Sequence, residues 1–150
     1  MLDYDGICAV YQELDLLHAE ALPTIFRRLD RPATARKFVA DAIKKDDAIL
    51  LVAESEGRIV GVGHVCVRDA RDYPMFLPRK YAWVESLAVG RDCQRRGIGR
   101  VLMECLHEWA IDKGVVQIEL NVWEFNQGAI SFYETLGYET ASRRMWKKFK

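Results

Sequence analysis

The chain reads as an α+β domain in which helices pack around one sheet, in the order ααβββαβα with one or two closing strands. Three observations carry this. Four segments place apolar residues at three- and four-residue steps, four or more short runs are rich in β-branched and aromatic residues, and glycines or prolines punctuate the joints between them. No internal repeat, low-complexity tract or linker divides the sequence.

From Asp5 to Ala21, Ile7, Val10, Tyr11, Leu14, Leu17 and His18 recur at helical spacing, and Pro23 stops the run. A second helix is predicted from about Ala33 to Lys44, with Phe38, Val39, Ala42 and Ile43 turned inward. Residues 48–54, AILLVAE, read as a buried strand, 56–58 as a hairpin turn, and 59–67, IVGVGHVCV, as the returning strand. The two prolines of 68–80 mark a long loop, a feature often tied to function. Residues 81–89, YAWVESLAV, form the next strand. Between Gly97 and Lys113, Ile98, Val101, Leu102, Cys105, Leu106 and Trp109 make an apolar stripe, with Gly114 as C-cap. Residues 115–123 are predicted as a strand, 126–136 as a helix ended by Gly137, and YETASRRMWKKF as one closing strand or two, bent near Ser142.

At 150 residues and 50% hydrophobic, the chain is expected to be a single domain, 1–150, with core enough to fold alone. Lysines and arginines number 22, as do aspartates and glutamates, so no global field favours nucleic acid or an anionic membrane. The cysteines, Cys8, Cys66, Cys93 and Cys105, are scattered, without a CxxC pair or a neighbouring histidine. That spacing speaks against a metal site or a disulfide framework and suits a reduced, cytoplasmic protein. No apolar run approaches the ~18 residues of a membrane span.

The stretch CQRRGIGR, residues 93–100, opens the long helix with two glycines among three arginines. A helix N-terminus carries unpaired N–H groups and partial positive charge, which favour an anion. Gly97 and Gly99 permit close backbone approach, and Arg95, Arg96 and Arg100 offer fork-shaped donors to phosphate oxygens. The spacing is neither GxGxxG nor GxxxxGK[ST], so a diphosphate-bearing ligand fits better than a dinucleotide or a triphosphate. A plain strand-to-helix corner with solvated arginines explains the same stretch, and the stretch alone leaves both readings open.

Residues 121–139, NVWEFNQGAISFYETLGYE, bear on the choice. QRRGIGRVL followed about thirty residues later by N-x-x-A-x-x-F-Y-E-x-L-G-Y resembles the GNAT superfamily of acyl-CoA-dependent N-acetyltransferases. The resemblance is strong over 81–149 and looser through 48–67 and the leading helices. It implies a mixed, mostly antiparallel sheet flanked by helices. Such proteins usually begin with a strand, and here helical pattern starts by Asp5, so the first edge strand is expected to be short or missing. An uncovered edge makes a homodimer an expectation.

The resemblance also implies roles. The backbone of Leu87, Ala88 and Val89 would pair with the pantetheine arm of acetyl-CoA, where strands 81–89 and 115–123 splay. The amides of Arg95, Arg96, Gly97, Ile98, Gly99 and Arg100 would cradle its pyrophosphate. Asn126 would contact the cofactor, and it also reads as an N-cap. Tyr133 would hold or protonate the departing thiolate, while as a helix aromatic it also suits the core. The acceptor, a small-molecule amine or peptide, must lose a proton before attack, because a free alkylammonium has a pKa near ~10.4. Glu85, in phase with Trp83, Leu87 and Val89 on its strand, is the candidate base, with Glu119 and Glu124 as runners-up. Its competing reading is a carboxylate paired with an arginine.

Relatives that acetylate protein N-termini carry a glutamate five residues before the motif asparagine, and Asn121 stands there in this chain. That weakens assignment to a ribosomal-protein acetyltransferase. His18 and His64 read first as core, Cys93 as a bystander, and no metal is expected. The expected reaction moves acetyl from acetyl-CoA, as co-substrate, directly to a primary amine. A catalytically silent acyl-CoA sensor is the alternative, and nucleic-acid binding is a distant third.

Overall fold

Residues 4–29 and 35–149 are described by a computed structural model. Helix α1 (Tyr4–Ala21) and helix α2 (Ala35–Ile43) precede strands β1 (Ala48–Ser55), β2 (Arg58–Asp69) and β3 (Lys80–Val89). Helix α3 (Ile98–Asp112), strand β4 (Ile118–Leu120) and helix α4 (Gln127–Thr135) follow. The four strands form one mixed sheet in the order β1-β2-β3-β4, antiparallel except for the parallel β3–β4 pair. Tyr4 is already helical, and the anticipated N-terminal stub lies outside the described residues, as do the first residues anticipated for the second helix.

Two clusters sandwich the sheet. On one face Ile7, Val10 and Tyr11 of α1 and Val39 of α2 pack with Ile59, Val62 and Ala88. On the other, Met103, Leu106 and Ala110 of α3 pack with Val65, Ala82, Val84 and Val115. Strand β2 is covered on both sides, which is why it reads as a nearly unbroken apolar run. Its two glycines let α3 come close: a Cβ at Gly61 would lie 3.0 Å from Leu102 Cδ1, and one at Gly63 3.1 Å from Leu106 Cδ1. The predicted turn closes β1 onto β2 with Glu56 (φ 52°) and Gly57 (φ 75°) both left-handed, the twist a two-residue hairpin needs.

Several local expectations are corrected. Phe38 and Ile43 of α2 remain 38% and 51% exposed, leaving Val39 and Ala42 as the buried contacts. On α3 the buried arc is Leu102, Met103, Leu106 and Ala110, whereas Val101 (59% exposed) and Cys105 sit one residue, or about 100°, off that arc. The strand anticipated at 115–123 shrinks to Ile118–Leu120. Val115 instead closes the turn after α3, its N–H bonding Ala110 O at 3.3 Å, and Val116 is fully exposed. The anticipated closing strand is absent: 139–149 carries no regular structure and is exposed throughout. No helix among the described residues is long and apolar enough to cross a membrane.

Candidate active site

The site begins where two parallel strands part. Strand β3 pairs with β4 only through Ala82–Ile118, Trp83–Glu119 and Val84–Leu120, and then runs five residues further, to Val89, without a neighbour on that side. Residues 121–126 swing away toward the start of α4. The gap opens into a cavity of about 570 Å³. Leu87, Ala88 and Val89 form one wall, and Gln94, Arg95, Gly97, Ile98, Gly99 and Arg100 line another. Asn126, Gly128, Phe132 and Tyr133 of the α4 region close the far side.

The turn into α3 has the features of an anion cradle. Gly97, its N-cap, is left-handed (φ 84°), and no side chain caps the helix. The first helical bond runs from Val101 N to Gly97 O at 3.1 Å, so the amides before it are the orphan donors of a helix start. Arg95 is also left-handed (φ 61°), a conformation that costs a residue with a Cβ roughly 1–2 kcal/mol and gathers turn amides into a concavity. No acidic residue occupies the first turn of α3 to compete with an anion. Gln94 Nε2 ties this turn back to β3 by donating to Val89 O at 2.9 Å.

Arg100 reaches across to α4, donating to Thr135 Oγ1 at 3.4 Å. Arg96 does not line the cavity, and its Nη1 lies 3.9 Å from Cys93 Sγ. Arg91, absent from the predicted set, does line it, and its N–H donates to Glu13 Oε2 at 2.7 Å. Asn126 is an N-cap: its Oδ1 accepts from Ala129 N at 3.1 Å, which leaves its amide NH₂ for another partner while the residue faces the cavity.

Tyr133 packs between Phe132 (5.3 Å) and Tyr138 (5.6 Å) by ring centroids. Burial pushes its phenol up to about 12, so at neutral pH it is a proton donor and not a base.

Glu85 is placed differently from its strand phase. The β2–β3 ladder slips between His64/Val65, pairing His64 with Ser86 and Val65 with Val84, so Glu85 is the extra residue of a β-bulge. The slip separates Glu85 from Leu87 and Val89, which contact the α3 side. Glu85 instead joins Arg68 (Nη2–Oε1 2.5 Å) and Cys66 (Sγ–Oε1 3.3 Å), outside the cavity wall. Its neighbour Ser86 meets Tyr11 Oη of α1 at 2.8 Å. Burial raises the Tyr11 phenol to about 12, with the Glu85 carboxylate adding to the rise. The runners-up separate too: Glu119 is held by Arg79 at 2.8 Å, and Glu124 is on the loop after β4.

His64 is core, 5% exposed, edge-on to Phe38, yet both of its ring nitrogens lack a hydrogen-bond partner. Burial holds its pKa below the ordinary value. His18 Nδ1 donates to Leu14 O (2.8 Å), and its ring lies between Phe26 and Phe125. Cys93 is buried beside Arg58 Nη2 at 3.6 Å, without a histidine near it. Sequence reasoning missed the wall that α1 supplies through Val10, Leu14 and Leu17, because nothing local distinguishes these from ordinary core residues.

Residues 11–138 match the sequence profile of the Acetyltransferase (GNAT) family. A [ribosomal protein bS18]-alanine N-acetyltransferase of Salmonella typhimurium is 44% identical over 59 residues, 39% of this chain and 40% of that protein. The L-ornithine N5-acetyltransferase NATA1 of Arabidopsis thaliana is 32% identical over 66 residues, 44% of this chain and 29% of that protein. The alignments thus span less than half the length of these curated relatives. A crystallised mutant of the BH1408 protein of Bacillus halodurans superposes with a TM-score of 0.92 at 24% identity, over 99% of this chain and 94% of that one. The aminoglycoside N-acetyltransferase AAC(6')-Iy, crystallised with CoA, superposes at 0.64 and 18% identity, over 92% of this chain and 95% of that one.

Proposed function

The chain belongs to the GNAT acetyltransferase family, and on that premise we propose that it transfers acetyl from acetyl-CoA to a primary amine by direct attack within a ternary complex. One observation carries the reading. The unpaired end of β3, the uncapped start of α3 and the Asn126–Tyr133 stretch of α4 surround a single cavity.

These residues suit the co-substrate. Leu87 to Val89 offer extended backbone paired with β2 on one side and with no strand on the β4 side, matched to an amide-bearing arm. The amides of Arg95 to Arg100, with the guanidinium groups of Arg95 and Arg100, suit a pyrophosphate. A Cβ at Gly97 or Gly128 would meet no protein atom within 4 Å, so their smallness leaves the cavity wall open. Asn126 keeps its amide NH₂ for the arm.

Acetyl-CoA supplies an activated thioester, and the protein positions it and manages charge. A backbone N–H near Leu87 donates to the carbonyl oxygen as negative charge develops there. Tyr133 gives its phenolic proton to the leaving sulfur. Glu85, one residue from Ser86 and two from Leu87, takes the amine's proton through a water, while Arg68 orients its carboxylate. In this reading Arg96 serves through its backbone amide, since its side chain turns toward Cys93.

The acceptor is a small amine or a peptide, entering from the α1 side of the splay. The cysteines form no disulfide among the described residues, which fits a reducing compartment, and we assign the reaction to the cytoplasm. An acceptor screen tests the function: CoA thiol release is followed across diamines, amino acids, aminoglycosides and peptides with free N-termini. Release with one class is the expected result. Tight acetyl-CoA binding with no release from any acceptor would overturn it in favour of an acyl-CoA sensor.

A further inference from the structure

Arg68 and Glu85 form an ion pair that folding stability does not explain. Their side chains are 39% and 27% exposed, and a pair so open to water adds little to stability. Yet a β-bulge brings the pair about. Glu85 is the extra residue at the His64/Val65 slip, and bulges re-aim side chains beside active sites.

Both partners are held, and both have bonding capacity left. The Arg68 guanidinium lies over the Trp83 ring, 4.6 Å from its centroid, which fixes the plane of the fork. Of its five N–H donors, Nη2 reaches Glu85 Oε1, and no other oxygen among the described residues bonds to the group. Cys66 Sγ donates to that same Oε1 at 3.3 Å, so Glu85 Oε2 has no partner among the described residues.

The pair stands next to the reacting end of the cavity. Trp83 alternates with Ala82 and Val84, which pack against α3, so Trp83 and its ladder partner Cys66 lie on the face that α1 and α2 cover. Ser86 follows Glu85 and meets Tyr11 Oη of α1 at 2.8 Å, and Leu87 comes next on the cavity wall. A cation and an anion side by side, each with an unused face, complement a ligand that carries both charges close together. A plain alkylamine leaves the guanidinium without a partner.

We propose that the acceptor is a free α-amino acid, its carboxylate held by Arg68 and its ammonium set toward Glu85 Oε2. This rests on the acetyl-transfer reading and narrows its acceptor. With the carboxylate on Arg68, the nitrogen is one carbon away, beside Glu85 and two residues from Leu87. Trp83 keeps the guanidinium in place while it is shared between two carboxylates. As the C–N bond replaces the C–S bond, the ammonium gives up two protons. One ends on the departing sulfur by way of Tyr133, and the other leaves through Glu85 to solvent.

Thiol release tests the proposal with matched acceptors. Leucine is compared with isoamylamine and phenylalanine with phenethylamine, each amine lacking only the carboxylate, and the remaining protein amino acids and their amides complete the series. The expected kcat/KM favours acids over matched amines and amides by about 10- to 100-fold, the range of one hydrogen bond to a charged group. Because Arg68 also orients Glu85, Arg68→Gln slows every acceptor, and the readout is the acid-to-amine ratio, which should shrink by about tenfold or more. The wild-type ratio decides the proposal by itself if that variant fails to fold. Amines or amides accepted as well as the acids overturn the proposal and leave acetyl transfer standing. An acid preference that survives Arg68→Gln overturns it too, because the carboxylate is then held elsewhere. No release from any acceptor overturns acetyl transfer and this proposal together.

Discussion

Replacing Tyr133 by phenylalanine removes one oxygen from the cavity wall and little else. The ring contacts with Phe132 and Tyr138 survive in a phenylalanine. The hydroxyl has no protein partner among the described residues, so no donor or acceptor is stranded by its loss. Stability should therefore change by no more than about 0.5 kcal/mol. Burial holds the phenol at about 12. A group with that pKa is deprotonated in only about 3 molecules in 100,000 at pH 7.5, so the acid form is always at hand. A positioned general acid contributes about 10²–10⁴-fold, or about 2.7 to 5.4 kcal/mol of barrier. The expected variant loses that factor in kcat while its acetyl-CoA dissociation constant, measured calorimetrically, stays within about twofold. Thiol release at saturating substrates gives kcat. An unchanged kcat in a folded variant refutes the role, and so does a loss mirrored in acetyl-CoA affinity, which would make Tyr133 a wall residue.

Glu85→Gln should abolish the acidic limb of the kcat/KM pH profile. A variant that keeps that limb shows that another group takes the proton. Gly97→Ala meets no atom within 4 Å but forces a Cβ residue to φ 84°, so it should cost about 1–2 kcal/mol by urea denaturation. A loss below about 0.3 kcal/mol would show that the turn is not left-handed in solution. His64 is held neutral, its pKa lowered by burial from the ordinary 6.5. Its contribution to stability is present above that value and is lost as pH falls through the lower folded pKa. His64→Leu should flatten the decline in stability from pH 6.5 downward, and an unchanged slope would place the acid-labile group elsewhere.

Much of the site was readable because it is written locally. Gly97 and Gly99 in an arginine-rich turn, Asn126 three residues before the Ala129 amide it caps, and Tyr133 two turns on are each specified within a few residues. So is the hairpin at 56–57. The face of Glu85 on its strand was not legible, because the expected phase with Leu87 and Val89 assumed an unbroken pleat. A bulge exists only between two strands, and the His64/Val65 slip that turns Glu85 toward Arg68 is a property of the β2–β3 pair. The same holds for β4, whose sequence suits nine residues of strand but which pairs through three.

The amino-acid order determines the backbone of the glycine- and arginine-rich turn before α3, the caps and the apolar stripes, since these follow from φ preferences and side-chain spacing along a single segment. Only tertiary structure decides that α1 walls the cavity, that β3 and β4 part after Val84, and that 139–149 finds no partner in its own sheet. Burial and strand pairing depend on what another part of the chain, or another chain, brings alongside.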